Sequence, residues 1–273
     1  MKCDEEKFFD DLYENLLNKT KFFIEIKTQQ NIPIEFKPMV RGEFETSFET
    51  SSNERKNNIK KSLEVFEGIV LNEGEVLSFN SATGPRTLEK GYSKAKIISN
   101  GTFTEGFGGG VCQVSTTIYN ACLLAGLEII EVHQHSLPVS YIDPSFDAMV
   151  NIGSSDLIVR NNTNNKIIFT TSSMNNKCKV RIFGEKNLYK IKRKSEKIKI
   201  IPKGEEIVET DYLKYGFNDL KIGEQKVLSF AKNGYISRGY LEYFDEKNNL
   251  LFSKKIRENQ YAPTKGIIIK REK

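Results

Sequence analysis

At 273 residues the chain exceeds the usual size of one domain, and its 38% hydrophobic and 11% aromatic content can bury a core despite 28% charged residues, which argues against a disordered polymer and for two folded units. The net charge of +5 is uneven: residues 186 to 273 hold 21 Lys and Arg against 12 Asp and Glu, the rest 20 against 24, so a basic tail either meets an anionic polymer or presents a solvated lysine surface. Cys3, Cys112, Cys122 and Cys178 have neither C-x-x-C pairing nor metal-finger spacing, which argues against a disulfide scaffold, and no apolar run reaches the length of a membrane span.

The opening MKCDEEKFFDDLYENLL is acidic where a secretory leader is basic and then apolar, so the chain is expected to be cytoplasmic or to begin after a removed or deleted leader. Phe8, Phe9, Leu12, Tyr13, Leu16 and Leu17 fall at helical spacing over 5–18, and a strand-like FFIEI follows. Residues 1–44 are accordingly an N-terminal helix and strand extension. GEFETSFETSSNERKNN reads as a polar loop leading to a helix near 54–66 with Ile59, Leu63 and Phe66 inward. AKIISNGTFTEG reads as a hairpin, because Asn100-Gly101 suits the left-handed conformations of a two-residue turn.

Gly108, Gly109 and Gly110 then lead into a helix. From 129 onward IIEVHQHS, VSYI, DAMVNIG, LIVRNN, KIIFTTS and CKVRIFG read as strands, so residues 45–185 form one α+β unit, a mixed helix and antiparallel-sheet domain. KNLYKIKRKSEK, 186–197, reads as a charged linker, and 198–273 as a small all-β module with Asn-Gly and Asn-Asn turns.

Chemistry concentrates in FGGGVCQVSTTIYNACLLAGLEIIEVHQHS, residues 107–136. On a helical wheel Cys112 lies about 140° from the apolar stripe of Val114, Ile118, Ala121 and Ala125, beside Ser115, Thr116 and Tyr119. A sulfur in a first helical turn feels unpaired N–H groups, which favour the thiolate, and the Cys112 or Gln113 amide can hold an oxyanion. The base must be His133 or His135, which two-residue alternation would aim at one face, and Asp147 can orient the imidazole. The same residues also admit a buried inert thiol or a zinc site. Arg86, in FNSATGPRTLEKGY, is a candidate clamp for a substrate carboxylate or a cap for nearby carbonyls.

The segments RKNNIKKSLEVFEGIVLNEGEVLSFNSATGPRTLEKGY, GGGVCQVSTTIYNACLLAGLEIIEVHQHSLPVSYIDPSFDAMV and DLIVRNNTNNKIIFTT resemble the VanW domain family from about residue 45 to 184, and 198–273 is similar to the five-glycine module that often follows it. The resemblance implies a bacterial, extracytoplasmic, cell-wall-associated L,D-transpeptidase in which Cys112 forms a thioester with a peptidoglycan stem peptide and makes 3-3 cross-links. His133, His135 and Asp147 match the family's H-x-H-S and DA-V positions, with the choice of base left open. Gly109, Gly110, Gln113, Ser115, Tyr119 and Arg86 are expected around the substrate. No cofactor, metal or nucleic acid is expected. The partners are stem peptides and, through the basic module, an anionic wall polymer. A cysteine amidase or carboxypeptidase on the same polymer and a non-enzymatic wall-binding module are the alternatives.

Overall fold

Glu43 and Glu45 stand opposite Arg181 and Lys179 across two paired strands, and this pairing turns a segment that reads as polar loop into sheet. A computed structural model describes residues 38–99, 102–213 and 216–272. The helix and strand expected before residue 37, and the turn Asn100-Gly101, lie outside the described residues.

Strand β1 (Met39–Ser47) is followed by α1 (Asn53–Glu64), capped by the Ser52 hydroxyl, which accepts the Arg55 N–H at 3.3 Å. The chain continues through β2 (Val70–Leu71), β3 (Val76–Ser78), the five-residue α2 (Phe79–Thr83), the hairpin β4 (Lys94–Ser99) and β5 (Thr102–Phe107), and α3 (Val111–Leu124). Next come β6 (Glu128–Glu131), β7 (Ile158–Arg160), β8 (Ile167–Ser172) and β9 (Lys177–Gly184). These strands form a sheet in the order β1-β9-β8-β2, a smaller one ordered β3-β7-β6, and the β4-β5 pair.

Helix α3 is the centre of the core. Every residue from Val111 to Leu123 except Cys112 is buried, so the helix is enclosed on all sides rather than laid on a surface. Ile59 and Leu63 of α1 pack into the same cluster, as do Val180 and Ile182 of β9, and the Phe66 and Phe79 rings stack at 5.0 Å. A fully buried side chain of this kind contributes about 1.5–3 kcal/mol.

The remaining strands are β10 (Lys190–Ile201), β11 (Ile207–Glu209), β12 (Gln225–Ser229), β13 (Gly234–Phe244), β14 (Leu250–Tyr261) and β15 (Ile267–Lys270). They form two three-stranded sheets, β10-β13-β14 and β11-β15-β12, in agreement with the all-β module expected there.

The α+β class expected for the first unit does not hold. The described residues carry three short helices, and strand dominates throughout. The discrepancy has a physical origin: β1 and β10 are strongly charged, and charge made them read as loop and linker. In both, alternation sends most charged side chains outward, with Arg193 an exception, turned in over the Phe44 and Phe146 rings. Lys190 to Ile201 pair with β13, interrupted only by a register shift between Lys197 and Lys199, so most of 186–197 is strand rather than connector, and β1 crosses the boundary expected at residue 45. Conversely, the strands expected in VSYI and DAMVNIG are irregular chain held by the isolated bridges His133–Met149 and Asn151–Ser155.

Candidate active site

The glycine turn is shaped by its neighbours. Gly110 caps α3 at φ 113°, where other residues are strained, and a Cβ on Gly109 would lie 2.8 Å from the Ala95 carbonyl carbon. The buried Asn58 of α1 fixes the turn, donating to the Gly109 and Ser93 carbonyls at 3.0 and 2.9 Å and accepting the Ser93 N–H. Cys112 therefore emerges as the second residue of α3, half-buried, with its Sγ 3.5 Å from the Val150 carbonyl oxygen. The amides on either side of it donate to Gly108 and Gly110 at 3.0 and 2.9 Å.

His135 meets this sulfur. Its Nδ1 lies 2.8 Å from Asp147 Oδ2, and the ring acts on Cys112 through hydrogen bonding and charge. Asp147 Oδ2 also accepts the His135 backbone N–H at 2.6 Å, and Oδ1 accepts the Tyr261 hydroxyl at 2.5 Å. Burial disfavours the Cys112 thiolate, but the hydrogen bond and charge of His135, with the charge of Arg86, outweigh it and hold the thiol below its ordinary range. Burial likewise works against a charged His135, yet its bonds to Asp147 and Cys112 raise it to about 9. Asp147 is kept below the usual carboxylate range, its burial outweighed by the His135 bond and charge and by Arg257. The thiols of Cys122 and Cys178 are fully buried without such partners; burial pushes Cys122 far up, and Cys178 up to about 12.

Of the two histidines, only His135 joins the sulfur. The chain leaves strand geometry at Glu131, so two-residue alternation no longer aligns the rings, and His133 Nε2 turns instead to Glu131 Oε1 at 2.7 Å. Arg86 lies beside the site: its Nη2 donates to Asn80 Oδ1 at 2.7 Å and Thr83 Oγ1 at 3.0 Å, and its buried Nε has no acceptor among the described residues. Burial lowers its pKa against the charge of Cys112, an arrangement that suits an anion.

Three expected substrate contacts are structural instead. The wheel treated the face with Ser115 and Tyr119 as free, but the segment after His135 covers it. Ser115 donates to the Ala148 carbonyl at 2.6 Å, Gln113 spans from Ser47 O to Arg55, and the Tyr119 ring is buried beneath Arg257. Tyr141, Arg257, Tyr261 and Asn58 were not anticipated. Burial together with the Cys112 charge raises the Tyr141 phenol far above its ordinary value. Among the described residues no cluster of three or more His, Cys, Asp or Glu is arranged to hold a metal.

The family described as VanW like protein matches residues 54–183, a span that contains Arg86, Cys112, His135 and Asp147. Over residues 54–183 the chain is similar to the VanW-like family. Over 127 residues the chain is 40% identical to the uncharacterized protein YoaR of Bacillus subtilis (strain 168), covering 46% of this chain and 42% of that protein. It is 28% identical over 155 residues to the vancomycin B-type resistance protein VanW of Enterococcus faecalis (strain ATCC 700802 / V583), covering 54% and 56%. The chain thus spans about half the length of the curated relatives it matches. Two solved structures, HP0197-G5 and the IgA1 protease G5 domain, match at 18% and 22% identity over 29% and 32% of this chain and 96% of theirs. Their TM-scores are 0.15 and 0.18.

Proposed function

We propose that this VanW-like chain acts on the bacterial cell wall, outside the cytoplasm, as a cysteine L,D-transpeptidase that forms 3-3 cross-links in peptidoglycan. The observation that carries the reading is the unbroken line from Cys112 through His135 to Asp147 at the head of α3. A thiolate paired with an imidazolium whose far nitrogen is held by a buried carboxylate is suited to acyl transfer.

In the first half-reaction the Cys112 thiolate attacks the carbonyl carbon of the diamino acid at position three of a donor stem. The Cys112 N–H, at the start of α3, stabilises the oxyanion. As the C–N bond breaks, His135 gives its Nε2 proton to the departing D-alanine amine, leaving a thioester and a neutral imidazole. In the second, the side-chain amine of an acceptor stem attacks the thioester, its proton passes to His135, and the thiolate is expelled. Arg86 binds a stem carboxylate. The exposed Lys190, Lys192, Lys197 and Lys199 of β10 offer a surface for anionic wall polymer.

Incubation with a stem tetrapeptide, followed by intact-protein mass, tests the chemistry. The expected product is an acyl adduct on Cys112, absent from Cys112→Ala, with 3-3 dimers released once acceptor is added. Hydrolysed stem without dimer would point to a carboxypeptidase, and no adduct under any condition would reject the cysteine reading.

A further inference from the structure

The all-β module contacts the VanW-like domain where the His135–Asp147 pair is made. The Tyr261 hydroxyl, at the end of β14, accepts the Ser145 N–H at 2.8 Å, so its own proton has one direction left, toward Asp147 Oδ1 at 2.5 Å. Arg257, four residues earlier on the same strand, donates from Nη1 to the Asp147 carbonyl at 2.5 Å. The same strand end grips both neighbours of His135: Asn259 donates to the Gln134 side chain, Gln134 Nε2 donates to the Gln260 carbonyl at 2.8 Å, and the Ala262 N–H reaches Ser136 O at 3.2 Å.

Backbone strain marks the same place. Ser145 is fully buried at φ 67°, a conformation that a residue with a Cβ adopts only when its surroundings enforce it. The enforcing contacts come from the module: its N–H is taken by Tyr261, and its hydroxyl pairs with Ser237 of β13 at 2.7 Å. Two residues later comes Asp147. Tyr261 and Ser237 thus fix the loop that sets the carboxylate.

We infer that the C-terminal module is part of the active site, with Tyr261, supported by Arg257, acting as a positioning residue that holds Asp147 against His135. Removing the hydroxyl leaves Asp147 Oδ1 without its donor in a buried setting, which raises the cost of the carboxylate and loosens its hold on the imidazolium. The His135 cation that sustains the Cys112 thiolate is then weaker. Besides His135, the charged or titratable groups around this assembly are Arg86 and Tyr141 toward Cys112, and Arg257, Tyr119, Tyr141, Tyr235 and Tyr261 toward Asp147.

This inference rests on the transpeptidase reading for its biological meaning, but its test does not require turnover. In the full chain with Cys3→Ser, the rate of Cys112 alkylation by iodoacetamide is followed against pH for the parent, Tyr261→Phe and a control, Tyr243→Phe, whose hydroxyl lies in the separate Tyr189–Phe252 aromatic cluster. Tyr261→Phe is expected to move the midpoint to higher pH and to slow alkylation at neutral pH about three- to tenfold, with the control unchanged. A midpoint and rate equal to the parent's, with a cooperative melting transition retained, overturn the inference. Should Tyr261→Phe lose that transition, Arg257→Gln is read by the same criterion. The stem-peptide adduct is measured on the parent in parallel. An adduct there with no shift in the variants sinks the module's role alone, whereas a shift with no adduct sinks the transpeptidase reading and leaves the positioning intact.

Discussion

Asp147 Oδ2 accepts two hydrogen bonds from His135, one from ring Nδ1 at 2.8 Å and one from the backbone N–H at 2.6 Å. One oxygen therefore fixes both where the residue sits and which nitrogen keeps its proton once the ring is neutral, holding it on Nδ1 and leaving Nε2 free to take one.

Asp147→Asn removes that control. An amide keeps the shape but presents an N–H where Nδ1 must donate, so either the ring turns or its proton moves to Nε2, the wrong nitrogen for receiving one from an incoming amine. Acyl transfer is expected to fall by about two to four orders of magnitude. Steady-state turnover of stem peptide with purified Asp147→Asn measures this, and near-parental turnover would remove Asp147 from the mechanism.

Cys112 and His135 together fix the pH response. Cys112 is held below its ordinary 9.0 and His135 is raised to about 9, so the thiolate–imidazolium pair spans the interval between the two. Turnover is expected to decline on the acid side as the thiolate is protonated and on the alkaline side as His135 loses its proton near 9. Stability follows the same signs. The raised His135 contributes fully below its ordinary 6.5, and that contribution disappears as pH rises through about 9; the depressed Asp147 contributes above its ordinary 3.8, and that contribution is lost as pH falls below it. The depressed Cys112 works in the opposite sense, gaining as pH rises toward its ordinary 9.0, so the two contributions offset across the 6.5 to 9 interval and melting temperature should be nearly level there; a steep drop with rising pH would show that the Cys112 thiol is not ionised.

Gly109 illustrates a different constraint. An added Cβ would meet the Ala95 carbonyl and the Lys96 carbonyl oxygen at 2.8 Å, all backbone of β4, so nothing nearby can rotate aside. Gly109→Ala is expected to cost about 1–3 kcal/mol and to lower the melting temperature by several degrees. It should also slow Cys112 alkylation, because the turn that delivers the sulfur is displaced. Scanning calorimetry and the alkylation rate check the two effects, and an unperturbed melting transition would show that the turn is looser than its packing implies.

The sequence carried Cys112, His135 and Asp147 because their chemistry is local: a glycine turn before a helix, an imidazole and a carboxylate on the chain that follows. It could not choose between His133 and His135, since the choice depends on the strand ending at Glu131, and a strand end among alternating residues leaves no compositional mark. Nor were Tyr261 and Arg257 legible, lying 114 and 110 positions from Asp147 on strands whose pattern reports only sheet. The helical wheel misjudged Ser115 and Tyr119 for a related reason. A polar face reads as solvated unless another segment satisfies it, and here Ala148 and the strand bearing Arg257 do so. The α+β reading failed at β1 and β10, where cross-strand pairing of charged residues replaced the apolar signal by which strands are recognised.

Thiol selectivity follows from the contrast among the cysteines. Cys112 is half-buried and beside a cation, whereas Cys122 and Cys178 are fully buried with their thiols pushed up. Reaction with an alkylating probe requires both thiolate and access, and among the described cysteines only Cys112 has either. In a Cys3→Ser background, iodoacetamide near neutral pH should therefore add one label per folded chain, located on Cys112 by peptide mapping, while denaturant exposes the other two. His135→Ala should slow that single labelling about tenfold or more, since the thiolate loses its cation and reverts toward an ordinary buried thiol. Uniform reluctance of all three cysteines in the folded chain would mean that the sulfur is neither ionised nor reachable, and the acyl-transfer chemistry would have no nucleophile.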